Sequence, residues 1–160
     1  SEMCIRDRTY ANATLPEAMI AAGSVLERPA LLARGLELLE WLLDRETHHG
    51  HLSVTPAGGN GPDDDGPGFD QQPIEVAALA DACARAAAVV GDQRWLDGIT
   101  TAADWFLGSN DAGVVMWDRV TGGGFDGLER DGANLNQGTE STLALLSTLQ
   151  HARSPVSVLL

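Results

Sequence analysis

The chain has 160 residues, of which 44% are apolar, and its formal net charge at pH 7 is −13. This length and apolar content suffice for one globular domain with one hydrophobic core. The acidic balance excludes the basic face that nucleic acids and anionic membranes require, so neither is expected as a partner. No apolar run is long enough to span a bilayer. Every basic residue is Arg, and the lack of Lys excludes Schiff-base catalysis and a P-loop.

The first eight residues differ in character from the rest of the chain. They read Ser-Glu-Met-Cys-Ile-Arg-Asp-Arg, which is similar to a translated sequencing adapter, so residues 1–8 are interpreted as an artefactual scar. We therefore expect the natural protein to extend upstream of Thr9. Residues 9–153 are predicted to form the C-terminal part of a larger domain, and residues 154–160 a tail. Cys4 then has no role, and Cys83 is expected to be a small core residue.

Apolar residues recur at helical spacing in five segments, which predicts five helices that each turn one face to the core. Short connections near residues 27–29 and 91–93 alternate with long loops near residues 48–71 and 111–136. Loops of that length inside a domain are usually functional or disordered. The five stripes are Leu15, Ala18, Met19 and Ala22; Leu32, Leu36, Leu39 and Leu43; Val76, Leu79, Ala80, Cys83 and Ala87; Trp95, Ile99, Ala102, Ala103 and Phe106; and Leu143, Leu146 and Leu149.

An internal repeat relates these helices. A shift of 64 residues places Leu15 on Leu79, Val25 on Val89, Leu32 on Leu96, Trp41 on Trp105, and Leu79 on Leu143. Two helices with a short link, followed by a long loop, describe stacked αα-hairpins. The predicted fold class is therefore all-α, a partial (α/α)6 toroid with two hairpins and half of a third. Both long loops then lie at the same end of the helices.

Two predicted helix starts carry the same polar pattern. Residues 72–75 and 137–140 both read Gln-x-x-Glu, and we call the end of the helices that they mark the mouth. Each Glu can cap the free N–H groups of its own helix. Alternatively, Asp70, Glu75 and Glu140 are catalytic, because glycoside cleavage needs two carboxyl groups, one of them protonated. The sequence leaves both roles open.

Further polar and aromatic side chains near these helix starts are predicted to bind a sugar. Trp117 can stack on a sugar face or pack within its own loop. The amides that surround Glu140 exceed what capping alone needs, which favours ligand contact. The predicted substrate-binding residues are Tyr10, Asn12, Gln71, Gln72, Trp117, Asp126, Asn134, Asn136 and Gln137.

No metal or organic cofactor is expected. His48, His49 and His51 resemble a metal tract, but no nearby acid has ligand spacing, so an exposed loop is favoured. The acids at residues 63–65 lack the spacing of a calcium loop and are interpreted as a solvated loop. Trp41 and Trp105, at equivalent positions of the repeat, are expected in the core.

The chain resembles a bacterial family of α/α-toroid proteins in the six-hairpin glycosidase superfamily, whose members are often described as glycosyltransferases. The segments that carry the resemblance are residues 69–75, Gly91-Asp92 with Trp95, residues 105–108, residues 126–128, residues 136–138 and residues 140–143. The resemblance implies an (α/α)6 fold and a role in carbohydrate metabolism. The family tends to carry Asp between the residues equivalent to Tyr10 and Asn12, where this chain has Ala11, 64 residues before Glu75. A catalytic acid at that position would be missing.

These observations lead to one leading hypothesis and two alternatives. The leading one is a toroid domain that binds or processes carbohydrate, with the missing N-terminal part of the same chain as its partner. The first alternative is a non-catalytic toroid appended to an upstream glycosyltransferase domain. The second is a structural helical-repeat scaffold. A bacterial cytoplasmic location is expected, and the isolated chain is expected to be marginally stable because its apolar edges lack neighbours.

Overall fold

The computed structural model describes residues 8, 10–61 and 67–153 of the chain. The described part is mostly helical, as predicted, with two small antiparallel hairpins inside the long loops. The helices are α1 (Thr14–Val25), α2 (Pro29–Arg45), α3 (Pro73–Val90), α4 (Gln93–Phe106) and α5 (Thr139–Arg153). Strand β1 (Thr47–His48) pairs with β2 (His51–Leu52), and β3 (Gly127–Glu129) pairs with β4 (Gly132–Asn134).

The five helices pack as two αα-hairpins followed by a fifth helix. α1 packs on α2 and α3 packs on α4, which gives the two predicted hairpins. α3 also contacts α1 on one side and α5 on the other, so α1, α3 and α5 form one layer. α4 in turn contacts α5, and α2 touches α3. This arrangement agrees with the internal repeat, while closure into a toroid stays a prediction.

α3 is the central helix, and 12 of its 18 residues are buried. Pro73 occupies its first turn, where the missing N–H leaves no helical bond unmade. Gly91 ends it in the left-handed conformation, with φ of 68°, which glycine adopts without strain. Its Ala-rich sequence lets neighbouring helices approach closely. A Cβ at Gly98 of α4 would lie 2.8 Å from the Sγ atom of Cys83, so this crossing depends on glycine. Cys83 is fully buried, as expected.

Two of the predicted stripes lie on the wrong face. In α1, Leu15 and Ala18 are exposed, and the buried residues are Pro16, Ile20 and Gly23. In α5, Leu143 is 60% exposed and Leu146 is 56% exposed. The buried residues of α5 are Ser141, Ala144, Leu145 and Thr148. α1 and α5 lie at the two edges of their layer, so the apolar faces directed away from α3 have no neighbour within the described residues.

The same edge effect corrects the expectation for one tryptophan. Trp105 of α4 is fully buried, as predicted, but Trp41 of α2 is 38% exposed. The two residues occupy equivalent positions in the repeat. Trp105 is covered by the long loop that carries Gln71, which receives the Trp105 indole hydrogen bond. Trp41 instead lines an open cavity with Leu15 and Leu38 at the α1–α2 edge.

The long loops are ordered by contacts with each other. Gln71 and Leu128 exchange main-chain hydrogen bonds of 3.0 and 2.8 Å, which joins the first long loop to β3. Arg8 and Asn60 form a similar main-chain pair, and Arg8 is buried. The scar interpretation of residues 1–8 therefore includes one residue that packs with the domain, and it stays a prediction. No helix in the described part of the chain is long and apolar enough to cross a membrane.

Several predictions concern residues outside the described part. These are Cys4 and the rest of residues 1–7, the acidic loop at residues 63–65, and the tail at residues 154–160.

Candidate functional site

The starts of α1, α3 and α5 lie together at one end of the helical layer. The hydroxyl of Tyr10 donates a hydrogen bond of 3.1 Å to Oε2 of Glu140, across 130 residues of sequence. The Asn12 side-chain amide donates a bond of 3.0 Å to Oε2 of Glu75. Glu75 and Glu140 are therefore at the same end, which the repeat requires of a common mouth. Residues 10–12 join the mouth as a third component.

Glu75 fixes the start of α1. Its Oε1 atom accepts the main-chain N–H of Ala11, and its Oε2 atom accepts the main-chain N–H of Asn12 at 3.1 Å in addition to the Asn12 amide. The side chain is only 3% exposed. Burial raises the pKa of Glu75, against the opposing effect of these hydrogen bonds. Glu75 caps the segment that leads into α1 rather than the start of its own helix, α3. This contact favours a positioning role for Glu75.

Tyr10 and Glu140 form the exposed part of the mouth. Tyr10 is 57% exposed, and Glu140 is also exposed. The hydrogen bond to Glu140 is the main cause that raises the pKa of Tyr10, followed by burial and by the charges of Glu140 and Glu75. Gln72, the residue before α3, is half-buried and makes no capping bond with its side chain. These three side chains can contact a ligand in solvent.

A second group of acids surrounds Asp70. The Asp70 carboxylate lies against Gly127, where a Cβ would overlap its Oδ1 atom. Burial raises the pKa of Asp70, and the charges of Glu129 and Asp126 raise it further. Among the described residues, the buried Oδ1 atom of Asp70 has no hydrogen-bond partner. Asp70 is thus a carboxyl group in a crowded acidic environment, which favours its protonated form.

Asp126 caps α5. Its Oδ1 atom accepts the main-chain N–H of Gly138 and the Ser141 hydroxyl, both at 2.7 Å. A Cβ at Gly138 would lie 2.6 Å from that oxygen, so a larger residue here would displace the Asp126 carboxylate. A loop acid, rather than the predicted Gln-x-x-Glu pattern, therefore satisfies the start of this helix. Glu140 is left without a capping bond, which keeps its carboxylate accessible.

Gln71 was predicted to contact a sugar, but the structure places it in the interior. Its side chain is fully buried. The amide nitrogen donates to Oδ2 of Asp111 at 2.6 Å and to the Gly68 carbonyl at 3.1 Å, and the amide oxygen accepts from the Trp105 indole at 3.3 Å. Gln71 thus has no amide group left for a ligand. Its role is to hold the first long loop against α4.

The expectation of an exposed histidine loop is wrong for two of its three members, because His48 and His51 are both half-buried. His51 is half-buried, and its Nε2 atom lies 2.9 Å from Oδ1 of Asp111. Burial opposes ionisation of Asp111, but hydrogen bonds from Ser53, His51 and Gln71 outweigh it and lower the pKa of Asp111. His49 is exposed, as expected. This contact ties the two long loops together.

The remaining predicted ligand residues lie in the second long loop. The Gln137 side chain is exposed, accepts from the Thr121 hydroxyl at 2.6 Å and donates to Asp118 at 3.2 Å. Asn134 accepts the main-chain N–H of Asn136 at 3.2 Å. The side chains of Gln137 and Asn134 order the loop through these bonds. Gln137 and Asn136 are exposed, and Asn134 is half-buried.

Trp117 is half-buried and packs against the hydrophobic core. Arg119 lies over its ring at 5.9 Å from the centroid. This arrangement favours packing within the loop over stacking on a sugar.

Glu46 is a buried acid that is not among the predicted site residues. It follows the last turn of α2, is 1% exposed, and accepts the main-chain N–H and the hydroxyl of Thr55. Burial is the main cause that raises its pKa to about 7, and the charge of Glu75 acts in the same direction. A carboxylate at the negative end of a helix is electrostatically unfavourable. The position of Glu46 directly after α2 is the feature of the sequence that could have indicated an unusual carboxyl group.

No group of three or more His, Cys, Asp or Glu side chains with metal-binding geometry occurs among residues 8, 10–61 and 67–153. Comparison with protein-family models gives no match, and comparison with curated proteins gives no significant similarity.

Proposed function

We propose that the chain is part of an α/α-toroid domain that binds carbohydrate at the mouth and processes it there. The observation that carries the proposal is the meeting of three helix starts, from α1, α3 and α5, at one end of the layer. This end presents a phenol, an amide and a carboxylate to solvent, at Tyr10, Gln72 and Glu140. The phenol and the amide both donate to and accept from sugar hydroxyls, and the carboxylate accepts from them.

Processing requires two carboxyl groups with different protonation. Glu140 is exposed and is the candidate for one of the two groups. Asp70 is the better candidate for the protonated acid, because burial and two neighbouring acids raise its pKa and one of its oxygens has no partner among the described residues. Asp70 and Glu140 both lie beside the start of α5. The charge of Asp126 acts on Asp70, and Asp126 also accepts the main-chain N–H of Gly138, the residue before α5. Glu75 holds the mouth in shape.

The toroid itself is part of this proposal. Leu15 on α1 and Leu143 on α5 occupy equivalent positions in the repeat and are 54% and 60% exposed, whereas Leu79 of α3 is 1% exposed. This difference in exposure supports further hairpins that pack against the exposed edges of the layer, at α1 and at α5. An appended toroid beside a glycosyltransferase domain, and a cytoplasmic location, stay predictions.

A structural scaffold is the second candidate function. The observation that favours it is the use of Glu75 and Asp126 as caps, because these contacts explain two of the predicted site residues without a ligand. The scaffold leaves the exposed positions of Tyr10, Gln72 and Glu140 without a role.

An affinity experiment separates the two. A glycan array probed with the chain identifies ligands, and calorimetry then compares the chain with Glu140→Gln and Tyr10→Phe. Loss of a hydrogen bond to a charged group is expected to weaken binding by about tenfold. Glu37→Gln is the matched control, since Glu37 is an exposed acid of α2 that pairs with Arg34. Binding to no glycan, or binding that both mouth variants leave unchanged, would favour the scaffold.

A further inference from the structure

A second polar surface lies along α3, away from its first turn. Between Glu75 and Ala87, Asp81 and Arg85 are the two residues of α3 that are not buried. Their spacing of four residues places them on one face of the helix. Because α1 and α5 pack on the two sides of α3, this face forms a groove between those helices.

The groove contains a cavity of about 350 Å³. All three helices of the layer contribute to it, and its floor is made of two alanines that leave space above the helix. This volume is within the range of small-molecule sites. The lining residues are Glu17, Asp81, Ala84, Arg85, Ala88 and His151.

The polar groups of the groove form two acid–base pairs. Oδ1 of Asp81 accepts the Ser147 hydroxyl at 3.1 Å and lies 2.7 Å from Nε2 of His151. The guanidinium of Arg85 lies 3.6 Å from the carboxylate of Glu17. Because Ser147 and His151 bind the same oxygen of Asp81, the histidine does not activate the serine, and a hydrolase triad is excluded.

These pairs favour a neutral hydroxylated ligand. Each carboxylate already has a nitrogen partner, the Arg85 guanidinium for Glu17 and the His151 imidazole for Asp81, so the groove offers both donors and acceptors. The net charge of −13 disfavours anions, and the occupied carboxylates disfavour a cation. Glu17 and Asp81 are 64 residues apart and thus share one position of the repeat. In α5 the equivalent position of the repeat is occupied by Leu145, which is buried.

We propose that this groove binds one neutral sugar unit of an oligosaccharide whose other end occupies the mouth. The proposal rests on the proposed function and specifies its ligand. Six residues separate Glu75 from Asp81, which is about 9 Å along the helix. The mouth and the groove are therefore separate positions for different units of one ligand. Arg85 and Asp81 bind hydroxyl groups in the groove.

The test uses methyl NMR on the alanine-labelled chain. The probes are maltotriose, cellotriose and mannotriose, with trigalacturonate as the acidic counterpart and glucose as a single unit. At least one neutral trisaccharide is expected to shift the methyl signals of Ala84 and Ala88, while Ala102, buried in α4, stays unchanged. Arg85→Gln is expected to weaken the binding of that trisaccharide by about tenfold. Arg34→Gln, an exposed arginine paired with Glu37, is the matched control and is expected to have no effect.

The outcomes for the groove and for the mouth are distinguishable. A trisaccharide that shifts the methyl signal of Ala11 at the mouth but leaves those of Ala84 and Ala88 unmoved overturns the groove and leaves the proposed function intact. Shifts at Ala84 and Ala88 that persist in Glu140→Gln support the groove even if the mouth fails. A response to trigalacturonate alone, or no response at Ala84 and Ala88 to any neutral probe, overturns the groove as a neutral sugar site.

Discussion

The hydroxyl of Tyr10 reaches across the start of α3 and donates a hydrogen bond of 3.1 Å to the carboxylate of Glu140. Tyr10 precedes α1 and Glu140 lies in the first turn of α5, so this bond links the two edges of the helical layer. Both side chains are exposed, and the bond contributes little to stability for that reason. Its importance is geometric, because it places three helix starts within one small region that faces solvent.

The pKa of Tyr10 reports this contact directly. Tyr10 is the single tyrosine of the chain, so the absorbance of tyrosinate at alkaline pH follows this residue alone. We expect a pKa above the ordinary value of 10.0, mainly because of the hydrogen bond to Glu140. Glu140→Gln is expected to bring it down, and Glu37→Gln is expected to leave it unchanged. An identical titration curve in all three proteins would show that the contact does not form.

Removal of the Glu75 carboxylate is expected to destabilise the start of α1. Glu75→Ala leaves three N–H groups at Ala11 and Asn12 without their acceptor, at a cost of about 2–4 kcal/mol in the free energy of unfolding. Glu75→Gln keeps an amide oxygen and is expected to cost less. Urea denaturation measures both values.

The matched control for this series is Glu140→Ala. Glu140 has the same place in the Gln-x-x-Glu pattern but is exposed, so its removal is expected to change stability by no more than about 0.5 kcal/mol. Equal losses for Glu75→Ala and Glu140→Ala would contradict the different roles assigned to the two residues.

Stability is expected to fall as the pH rises from about 4.5 to about 7 because of Glu46. Its pKa is raised from 4.5 to about 7 in the folded state, so the folded protein holds a proton that the unfolded chain has lost. The stabilisation is fully present below the unfolded pKa and is lost as the pH rises through the folded pKa. The loss amounts to about 3 kcal/mol between about pH 4.5 and pH 7.

Glu46→Gln tests the assignment of this effect. The amide does not ionise, and its N–H₂ group can occupy the place of the protonated oxygen. We expect a flatter dependence of the unfolding free energy on pH, measured by urea denaturation across the same range. The same slope in the wild type and in Glu46→Gln would assign the effect to another group, such as Glu75, whose pKa is also raised.

The exposed leucines of α5 are expected to promote association of the isolated chain. Leu143 and Leu146 are 60% and 56% exposed, which places two large apolar side chains on one helix face. Replacement of both by Gln is expected to reduce light scattering on concentration without loss of thermal stability. Leu145→Gln is the control, since Leu145 is buried and its loss is expected to cost about 2–5 kcal/mol. A comparable loss in the double variant would show that this face is already packed.

Helices could be predicted from the sequence because their apolar periodicity is strong. α3 and α4 have neighbours on several sides, and all of their predicted core positions are buried. In α1 and α5 the apolar face that the pattern selects is the one left exposed at the edge of the layer. Periodicity identifies a face that prefers burial, but it does not show whether the neighbour that would cover it is present.

The polar site was less predictable, because the partner of each side chain is distant in sequence. The Gln-x-x-Glu pattern located the mouth, yet Glu75 caps a segment 63 and 64 residues away. Gln71 and Asp111 meet across 40 residues, and no local pattern distinguishes their buried contact from an exposed one. The Ala11 position now has a physical context. Its main-chain N–H binds Glu75, and an acid there would bring a second carboxylate close to this one.

The most direct test of the mouth maps a bound sugar onto the main-chain amides. The chain labelled with ¹⁵N is titrated with a glycan selected on the array, and the amide shifts are assigned to residues. We expect the largest amide shifts to cluster at residues 10–12, 72–75 and 137–140, which are three separate segments of the sequence. Shifts that lie elsewhere, or that are confined to one of these segments, would contradict a common carbohydrate-binding mouth.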